Sequence, residues 1–505
     1  MSIICAVIGR TRHRMVQMEI QEAGKRGAKL IEVRLDYLAK APDFKRLLDN
    51  RPCPIIATLR RPEDGGRWKG TEDERLMLLR QAVVAGFDYV DLERDVAPNI
   101  RRFGQVKRIV SHHDFKETPA DLESIYAEMC ELDADVVKLA VTPQTTADNL
   151  RVLKLLDGAP KPTVVICMGD LGACTRVLNA KFGAPFTYAA FNPERTIAPG
   201  IIPFMPMRSI YRYESINAET QVFGVIGDPV GHSLSPVIHN GAFKHLGLNA
   251  VYVPFRVPRG ELEPFLKSYQ SLPVKGLSVT IPHKEAAAHF ASEKEPGVKK
   301  SGAANTLVFA DGKCSAFNTD VPAAMASLKA AIASIPDEDS FPLSKRTVLL
   351  LGAGGVARAL AFGLAAEGCQ LIISNRSLDR ATDLAHDVGC RTIDWAARHG
   401  VVCDTLINCT SVGMHPNVDE SPIHRSFLRQ GLLVFDTIYT PETTLLLREA
   451  KESGCDVLSG VDMFVRQAAM QFQRFTNLEA PIEVMTKLVR RALSPVNYSK
   501  DEASE

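Results

Sequence analysis

Short apolar runs alternate with amphipathic stretches through the first half of the chain. Eight of these runs are rich in β-branched residues and are predicted to be strands: 3–8, 29–35, 54–59, 89–92, 108–111, 136–141, 163–168 and 186–190. The stretches between them, such as 73–85 and 119–132, have the length and apolar spacing of helices. This alternation predicts a (β/α)8 barrel. An open doubly wound sheet is the alternative, but it needs a glycine-rich first turn, which Gly9-Arg10-Thr11-Arg12 does not provide.

A lysine interrupts one of the predicted strands. Lys138 lies between Val137 and Leu139, inside an apolar run. Burial disfavours the charged ammonium, so the amine of such a lysine would be available to attack a ketone. The alternative is a lysine at a strand end whose amine reaches solvent.

A histidine and two arginines occupy the ends of other predicted strands, where a barrel builds its active site. His113 alone is more often structural than catalytic, and Arg34 or Arg60 alone could pair with Glu32 or Asp36. Together with Lys138, however, these residue types predict Schiff-base chemistry on an anionic keto acid.

The motifs that carry these residues resemble type I 3-dehydroquinate dehydratase over roughly residues 1–210. They are Glu32-x-Arg34-x-Asp36, Ser111-His112-His113-Asp114-Phe115-x-x-Thr118-Pro119 and Asp135-Val136-Val137-Lys138-Leu139-Ala140. The resemblance implies that Lys138 forms an imine with the substrate ketone and that His113 shuttles the proton. It also implies a set of substrate-binding residues: Glu32, Arg34, Arg60, Asp64 and Arg176.

The barrel half departs from the family pattern in two loops. Asp64 precedes Gly65-Gly66 where the family has a glutamate, and its shorter side chain is expected to leave His113 less well oriented. The family's late loop reads Ser-Ala-Pro-Gly-Gln, whereas this chain has apolar Ile197 and Ile201 at its two ends. Either another loop compensates for the two lost polar contacts, or the substrate binds less tightly.

The second half contains a nucleotide-binding pattern. A predicted strand, 347–351, runs into Gly352-Ala353-Gly354-Gly355 and a predicted helix, 356–367. Such glycines let a pyrophosphate approach the helix N-terminus closely. After the next predicted strand, 370–374, an acidic residue would indicate NAD, but the polar side chains there are Asn375, Arg376 and Arg380. They favour the 2′-phosphate of NADP, although a solvated turn residue is the alternative for Arg376.

Lys284 and Asp320 are candidate catalytic groups upstream of this pattern. A lysine can handle the proton of a hydroxyl during hydride transfer while a carboxylate positions the lysine. Taken alone, the two residues favour a surface ion pair, because nothing in their spacing proves contact.

Residues 221–490 resemble shikimate dehydrogenase. The motifs are Ser233-x-Ser235-Pro236, Thr280-x-x-His283-Lys284, Gly302-Ala303-Ala304-Asn305-Thr306, Asn318-Thr319-Asp320, Asn408-Cys409-Thr410-Ser411-Val412-Gly413-Met414, Asp436-Thr437-Ile438-Tyr439 and Gly460-Val461-Asp462-Met463-x-x-x-Gln467. The resemblance implies that Lys284 and Asp320 are catalytic. It implies substrate contacts from Ser233, Ser235, Thr280, Asn305, Tyr439 and Gln467. It implies NADP contacts from Gly352, Ala353, Gly354, Gly355, Asn375, Arg376, Arg380, Thr410, Met414 and Gly460.

The length of 505 residues predicts about three domains in an α/β protein. We expect the barrel over 1–212 and a two-lobed dehydrogenase after it. Its substrate-binding lobe is predicted over 221–330, completed by C-terminal helices in 465–495, and its Rossmann-like NADP-binding lobe over 340–464. The polar tail 497–505 is predicted to be disordered.

The composition is that of an ordinary globular protein, with 60 Lys and Arg against 59 Asp and Glu and a net charge of +1. This balance provides no footprint for nucleic acid or an anionic membrane, so the expected partners are small-molecule substrates. The 11 cysteines are scattered, which predicts reduced thiols and no metal site. We expect the cytoplasm or another reducing compartment, with no targeting segment.

The two resemblances together imply that one chain catalyses consecutive steps, dehydration of 3-dehydroquinate and NADPH-dependent reduction of 3-dehydroshikimate to shikimate. One alternative is a shikimate or quinate dehydrogenase with a degenerate barrel, which Ile197 and Ile201 motivate. A metabolite-sensing regulator is a second alternative, from a different class.

Overall fold

The structure is a computed structural model that describes residues 2–194, 197–269, 272, 274–335 and 341–494. The predicted polar tail 497–505 lies outside the described residues. The chain forms two compact units, each described below by itself. The first unit comprises Met1–Pro236, Leu248–Lys275 and Thr280–His283, and the second comprises Val237–Gly247, Gly276–Val279 and Lys284–Glu505.

Eight parallel strands in the first unit form a nearly closed barrel, as the apolar runs predict. The strands are β1 (Ile3–Ile8), β2 (Leu30–Arg34), β3 (Ile55–Thr58), β4 (Tyr89–Glu93), β5 (Lys107–His113), β6 (Val136–Val141), β7 (Thr163–Cys167) and β8 (Phe186–Ala190). The ladder runs β7-β6-β5-β4-β3-β2-β1-β8, and β1 pairs with β8 from Ile3↔Phe186 to Val7↔Ala190. The doubly wound alternative is therefore wrong for this half of the chain.

Helices follow the strands around the barrel: α1 (His13–Lys25), α2 (Phe44–Leu48), α3 (Glu72–Ala85), α4 (Leu122–Glu131), α5 (Thr146–Lys154), α6 (Gly169–Gly172), α7 (Thr175–Leu178) and α8 (Phe204–Ser209). The ends of α3 show why the chain folds this way locally. Thr71 and Glu74 form a capping box at its N-terminus, and Gly86 adopts a left-handed φ of 95° at its C-terminus. Buried apolar side chains, among them Val7, Ile56 and Ile166, form one cluster of the barrel core.

The first unit also contains β9 (Gln221–Gly227), β10 (Ala250–Arg256) and α10 (Leu262–Tyr269). The two strands are parallel, with Gln221 opposite Ala250 and Gly227 opposite Arg256. Ser235–His245 forms α9, of which residues from Val237 onward belong to the second unit. The strand β11 (Val274–Val279) likewise contributes Gly276–Val279 to the second unit.

The first part of the second unit carries a small sheet and three helices. Its elements are α11 (Lys284–Phe290), β12 (Glu293–Lys294), α12 (Pro296–Ser301), β13 (Thr306–Ala310), β14 (Lys313–Phe317) and α13 (Asp320–Ala333). β13 pairs antiparallel with both β11 and β14, and β12 is parallel to β14.

The rest of the second unit comprises a Rossmann-like lobe and two C-terminal helices. Its elements are β15 (Thr347–Leu351), α14 (Gly355–Ala366), β16 (Gln370–Ser374), α15 (Leu378–Val388), β17 (Arg391–Ile393), β18 (Thr405–Asn408), β19 (Leu433–Asp436), α16 (Leu445–Glu452), β20 (Asp456–Leu458), α17 (Gly460–Thr476) and α18 (Ile482–Leu493). The six strands are parallel in the order β17-β16-β15-β18-β19-β20, which is the order of a dinucleotide-binding sheet. The switch point lies between β15 and β18, next to the glycine-rich turn.

All 11 cysteines are unpaired thiols. Within the described ranges, no helix is both long and apolar enough to cross a membrane.

Candidate active sites

A pocket opens at the carboxyl ends of the barrel strands. Every residue that the sequence assigns to the dehydratase site lines it: Glu32, Arg34, Arg60, Asp64, His113, Lys138 and Arg176. They come from different strands and loops, and the barrel brings them to one end because all its strands are parallel. Lys138 is on β6 and His113 ends β5, and the two strands are hydrogen-bonded neighbours.

The amine of Lys138 lies inside the barrel. Its side chain is only 8% exposed, so the alternative of a solvent-reaching lysine is wrong. Nζ lies 2.9 Å from Oδ2 of Asp91, 3.8 Å from Oε1 of Glu32 and 4.1 Å from the centre of the Tyr188 ring. Two carboxylates and an aromatic face therefore hold the amine at the base of the pocket.

Two buried acids on β4, Asp91 and Glu93, belong to a network of buried ion pairs that includes Lys138. Arg60 lies 2.7 Å from Asp91 and 2.8 Å from Glu93, and Glu93 also accepts from Arg75 at 2.9 Å. Burial alone would raise the pKa of Asp91, but Arg60 and Lys138 together hold it well below its ordinary value. Asp91 is thus a fixed anion beside the amine.

Asp91 and Glu93 are not among the site residues predicted from the sequence. A signal was present, because acids at alternate positions of a short apolar strand point to the same face. In β4 that face points into the barrel, where an acid needs a cationic partner.

The remaining polar contacts settle which partners the strand-end residues take. Arg34 binds both carboxylate oxygens of Asp36, at 2.9 and 2.8 Å. Glu32 instead accepts from Thr58 at 2.8 Å and faces Lys138. Of the two acids considered for Arg34, Asp36 is therefore the partner. Arg60 pairs with neither of them but with Asp91 and Glu93.

His113 is buried in the same pocket, and the charges around it disfavour its protonated form. Burial, followed by the charges of Arg60 and Lys138, lowers its pKa well below the ordinary value. Its buried Nδ1 has no hydrogen-bond partner among the described residues. The carboxylate of Asp64 pairs with Arg61, and the imidazole stacks on Phe115 at 6.3 Å. Asp64 is therefore paired with Arg61 rather than with His113, whose ring packs against Phe115.

Arg176 has unused hydrogen-bonding capacity in the same pocket. It is 2% exposed, and desolvation lowers its pKa to about 10. Nη2 donates to the carbonyl of Pro199 at 3.0 Å, whereas the buried Nε has no partner in the described part of the chain. A buried guanidinium without a carboxylate suits an anionic substrate. Ile197 and Ile201 line the wall beside it, so that wall is apolar.

In the second unit, Lys284 and Asp320 form the predicted pair. Each is the first residue of a helix, α11 or α13, rather than part of a loop. Nζ of Lys284 lies 2.6 Å from Oδ2 of Asp320, and the side chains are 25% and 13% exposed. Asn305 donates to the other oxygen of Asp320 at 2.8 Å. The pair is partly buried and held in place, unlike an ordinary surface ion pair.

Asn305 joins this pair to α17. Its Nδ2 also donates to Oγ1 of Thr319 at 2.9 Å, and that hydroxyl donates to the carbonyl of Gln467 at 3.2 Å. Gln471, a buried residue that the sequence analysis missed, donates to the carbonyl of Asn305 at 3.0 Å. Tyr439 stacks on Phe464 at 4.7 Å, and Phe464 was missed as well.

Three predicted substrate residues belong to the first unit. Ser235 begins α9, and its N–H donates to Oγ of Ser233 at 3.2 Å. Thr280 donates its N–H to the carbonyl of Ile226 at 3.0 Å, beside the carboxyl end of β9.

The turn after β15 fits a pyrophosphate. Gly352 has a φ of 116°, which favours glycine, and an added Cβ would lie 2.9 Å from the carbonyl oxygen of Cys409. Ala353 follows it, Gly354 caps α14, and Gly355 is the first helical residue. A Cβ on Gly354 or Gly355 would meet nothing within 4 Å, so the N-terminus of α14 faces open space.

The turn after β16 fits a 2′-phosphate. Asn375 donates to the carbonyl of Ser377 at 2.9 Å. Arg376 and Arg380 are exposed, and no ion pair ties up either guanidinium within the described ranges. Two free guanidinium groups at the carboxyl edge of the sheet match the donor set that a phosphate needs.

Three more predicted cofactor residues follow strands of the same sheet, Thr410 and Met414 after β18 and Gly460 after β20. Thr410 donates to Oδ1 of Asn408 through N–H at 3.0 Å and through Oγ1 at 2.7 Å. Met414 is 45% exposed. Gly460 begins α17, and an added Cβ would lie 2.5 Å from the carbonyl oxygens of Thr437 and Ile438.

Comparison with known families covers both halves of the chain. Residues 4–218 match the family Type I 3-dehydroquinase, and residues 225–307 match the Shikimate dehydrogenase substrate binding domain. Residues 337–436 match Shikimate / quinate 5-dehydrogenase, and residues 460–490 match the Shikimate 5'-dehydrogenase C-terminal domain.

A relative with both halves decides the family. The chain is 38% identical to the chloroplastic bifunctional 3-dehydroquinate dehydratase/shikimate dehydrogenase of Arabidopsis thaliana, over 97% of this chain and 84% of that protein. The chain belongs to this bifunctional family. The enzyme is therefore both a lyase and an oxidoreductase, and a degenerate barrel or a regulator is not favoured.

The dehydrogenase half has further relatives. It is 42% identical to the NADP-dependent shikimate dehydrogenase of Methanopyrus kandleri, over 54% of this chain and 97% of that protein. A crystal structure of a shikimate dehydrogenase with NADP+ is similar at a TM-score of 0.51 and 36% identity, covering 55% of this chain and 98% of the other.

Proposed function

We propose that Lys138 is the Schiff-base lysine of the dehydratase and that His113 is its proton shuttle. The supporting observation is the single pocket that holds Lys138, His113 and Arg176 at the ends of the barrel strands. Arg176 would bind the substrate carboxylate, because its buried guanidinium lacks an anionic partner in the described residues. The further substrate-binding residues would be Glu32, Arg34, Arg60 and Asp64.

The dehydratase reaction follows from these positions. The amine of Lys138 attacks the substrate ketone, and loss of water forms the imine. The imine acidifies the neighbouring C–H, and the neutral imidazole of His113 accepts that proton. His113 then returns the proton to the leaving hydroxyl, which departs as water, and hydrolysis of the imine releases 3-dehydroshikimate and the lysine.

In the dehydrogenase, we propose that Lys284 donates a proton to the substrate ketone oxygen while Asp320 holds the ammonium in place. NADPH, when bound, supplies the hydride that reduces the ketone. The family resemblance adds the substrate-binding residues Ser233, Ser235, Thr280, Asn305, Tyr439 and Gln467. The turn residues Gly352–Gly355 would hold the pyrophosphate, and Asn375, Arg376 and Arg380 would hold the 2′-phosphate. Thr410, Met414 and Gly460 would lie at the nicotinamide end.

We further propose the domain limits 1–212, 221–330 with 465–495, and 340–464. The unpaired thiols fit a reducing compartment, and the cytoplasm is the one we propose. Shikimate rather than quinate would be the preferred substrate, which a comparison of kcat/KM for the two would test.

The combined function is tested by supplying the full chain with 3-dehydroquinate and NADPH only. We expect shikimate to accumulate with one NADPH oxidised per 3-dehydroquinate consumed, because the product of the first site is the substrate of the second. The control supplies 3-dehydroshikimate in place of 3-dehydroquinate. Reduction of 3-dehydroshikimate without consumption of 3-dehydroquinate would instead support the degenerate barrel.

Replacing Arg376 with alanine tests the NADP site. We expect the ratio of kcat/KM for NADPH to that for NADH to fall about 10- to 100-fold, since the 2′-phosphate loses a charge-assisted contact. Steady-state kinetics with both cofactors measure this. Arg391→Ala is a matched control, because Arg391 is also exposed but starts β17 at the amino edge of the sheet. An unchanged ratio in Arg376→Ala would contradict the assignment.

A further inference from the structure

A buried carboxyl group, that of Asp436, lies beneath the cofactor loop of the second unit. Asp436 is the last residue of β19, and Asn408 is the last residue of the neighbouring strand β18; the two are paired in register. Both side chains are 0% exposed. Asp436 is not among the proposed substrate-binding or cofactor-binding residues, and a buried carboxyl group is unfavourable unless it is hydrogen-bonded.

Three uncharged donors surround the carboxyl group. Nδ2 of Asn408 and the N–H of Ile438 donate to Oδ1, each at 3.1 Å, and the hydroxyl of Thr444 donates to Oδ2 at 2.7 Å. Burial raises the pKa of Asp436 to about 6, against the opposing effect of these donors. Oδ1, which faces Asn408, therefore acts as an acceptor for two N–H donors.

An acceptor at this position fixes which way the amide of Asn408 points. Nδ2 must face Asp436, and Oδ1 must then face the opposite side. On that side Oδ1 accepts both the N–H and the hydroxyl of Thr410. Were the amide reversed, its NH2 would face the two donors of Thr410, and the carbonyl oxygen would face a carboxylate.

The fixed amide in turn shapes the whole loop. Nδ2 of Asn408 also donates to the carbonyl of Val412 at 3.2 Å, and the N–H of Val412 donates to Oγ1 of Thr410 at 3.1 Å. Gly413 follows with a φ of 97° and leads to Met414. One amide side chain therefore joins the start of the loop to its middle, and Asp436 holds that amide from below.

We propose that Asp436 is a positioning residue of the dehydrogenase: by orienting the amide of Asn408, it holds residues 408–414 in the conformation that receives the nicotinamide. The proposal rests on the placement of Thr410 and Met414 beside the nicotinamide made under Proposed function. Asp436 acts through Asn408 and is not itself a catalytic residue.

The test compares Asp436→Ala, Asn408→Ala and the double variant in the full chain. We expect each single variant to lower kcat/KM for NADPH by about 100-fold, since a displaced loop misplaces the reacting ring. The double variant should have the same kcat/KM as Asn408→Ala, because Asp436 acts only through Asn408. The dissociation constant of adenosine 2′,5′-bisphosphate should stay unchanged, since this probe occupies only the adenosine end.

Two further variants separate positioning from folding. Asp436→Asn should recover most of the lost kcat/KM, because its Oδ1 can still accept from Asn408 and its NH2 can donate to the Thr444 hydroxyl. Thr444→Val should retain most of the activity, because it leaves the bond between Asp436 and Asn408 intact.

The possible failures are distinguishable. Wild-type kinetics in Asp436→Ala, additive losses in the double variant, or an equal loss of bisphosphate binding would each overturn the positioning role. If Asn408→Ala leaves kcat/KM for NADPH unchanged, the placement of the nicotinamide beside this loop is wrong instead.

Discussion

Replacing Lys138 with methionine is expected to abolish the dehydratase activity while the dehydrogenase activity remains. Methionine has nearly the length of lysine but no amine, so the imine with the substrate ketone cannot form. We expect kcat to fall by about 10⁴-fold or more, as is found when a covalent nucleophile is removed. Asp91 keeps its ion pair with Arg60 at 2.7 Å, so its charge is still compensated. Dehydration of 3-dehydroquinate by the full chain measures the loss.

A reductive trapping experiment identifies the nucleophile directly. Borohydride added with 3-dehydroquinate should leave a covalent adduct on the peptide that contains Lys138, and no adduct in the Lys138→Met variant. Lys107→Met is a matched control, because Lys107 also lies on a barrel strand but is exposed. It should retain activity and the adduct. An adduct on another lysine, or a variant with substantial turnover, would show that Lys138 is not the Schiff-base residue.

The barrel could be predicted from the sequence because its strands are short, apolar and regularly spaced. The observed ends of β1, β6 and β8 coincide with the predicted ones. The glycine-rich turn could be predicted as well. At Gly352 the positive φ and the close backbone of Cys409 both favour glycine. In both cases the signal for the element is local in the sequence.

The partners of the buried charges could not be predicted in the same way. Asp91 and Lys138 are 47 positions apart, and Lys284 and Asp320 are 36 positions apart. Such contacts depend on which strands and helices become neighbours, and this is a property of the whole fold. The ion pair between Asp64 and Arg61 likewise could not be predicted from the motif. The motif predicts only that the shorter side chain of Asp64 leaves His113 less well oriented.

The contact between Asp320 and Lys284 fixes the position of the lysine amine in the dehydrogenase half. Asp320 accepts from Lys284 at 2.6 Å through Oδ2 and from Asn305 at 2.8 Å through Oδ1. Asn305 is itself held by Thr319, which donates its N–H to Oδ1 of Asn305 at 2.9 Å. The position of the amine is therefore set by α13 and the loop before β13 together.

Replacing Lys284 with methionine should lower kcat for the reduction of 3-dehydroshikimate by about 10³-fold, the size of a general acid contribution. Asp320→Asn should cause a comparable loss, since the amide still accepts from Asn305 but no longer holds the ammonium by charge. The KM for NADPH should change little, because neither residue lies in the glycine-rich turn. The double variant should be scarcely worse than Lys284→Met if the two residues act as a unit.

Lys329→Met provides the matched control for this pair. Lys329 lies on the same helix as Asp320 and makes a 2.7 Å ion pair with Glu367, but the side chains are 54% and 35% exposed. Loss of such an exposed pair should leave kcat unchanged, since exposed pairs contribute little. Dehydration of 3-dehydroquinate by every variant verifies that the barrel is intact. If Lys284→Met has a kcat near that of Lys329→Met, the amine of Lys284 is not the proton donor, and the proton comes from another group.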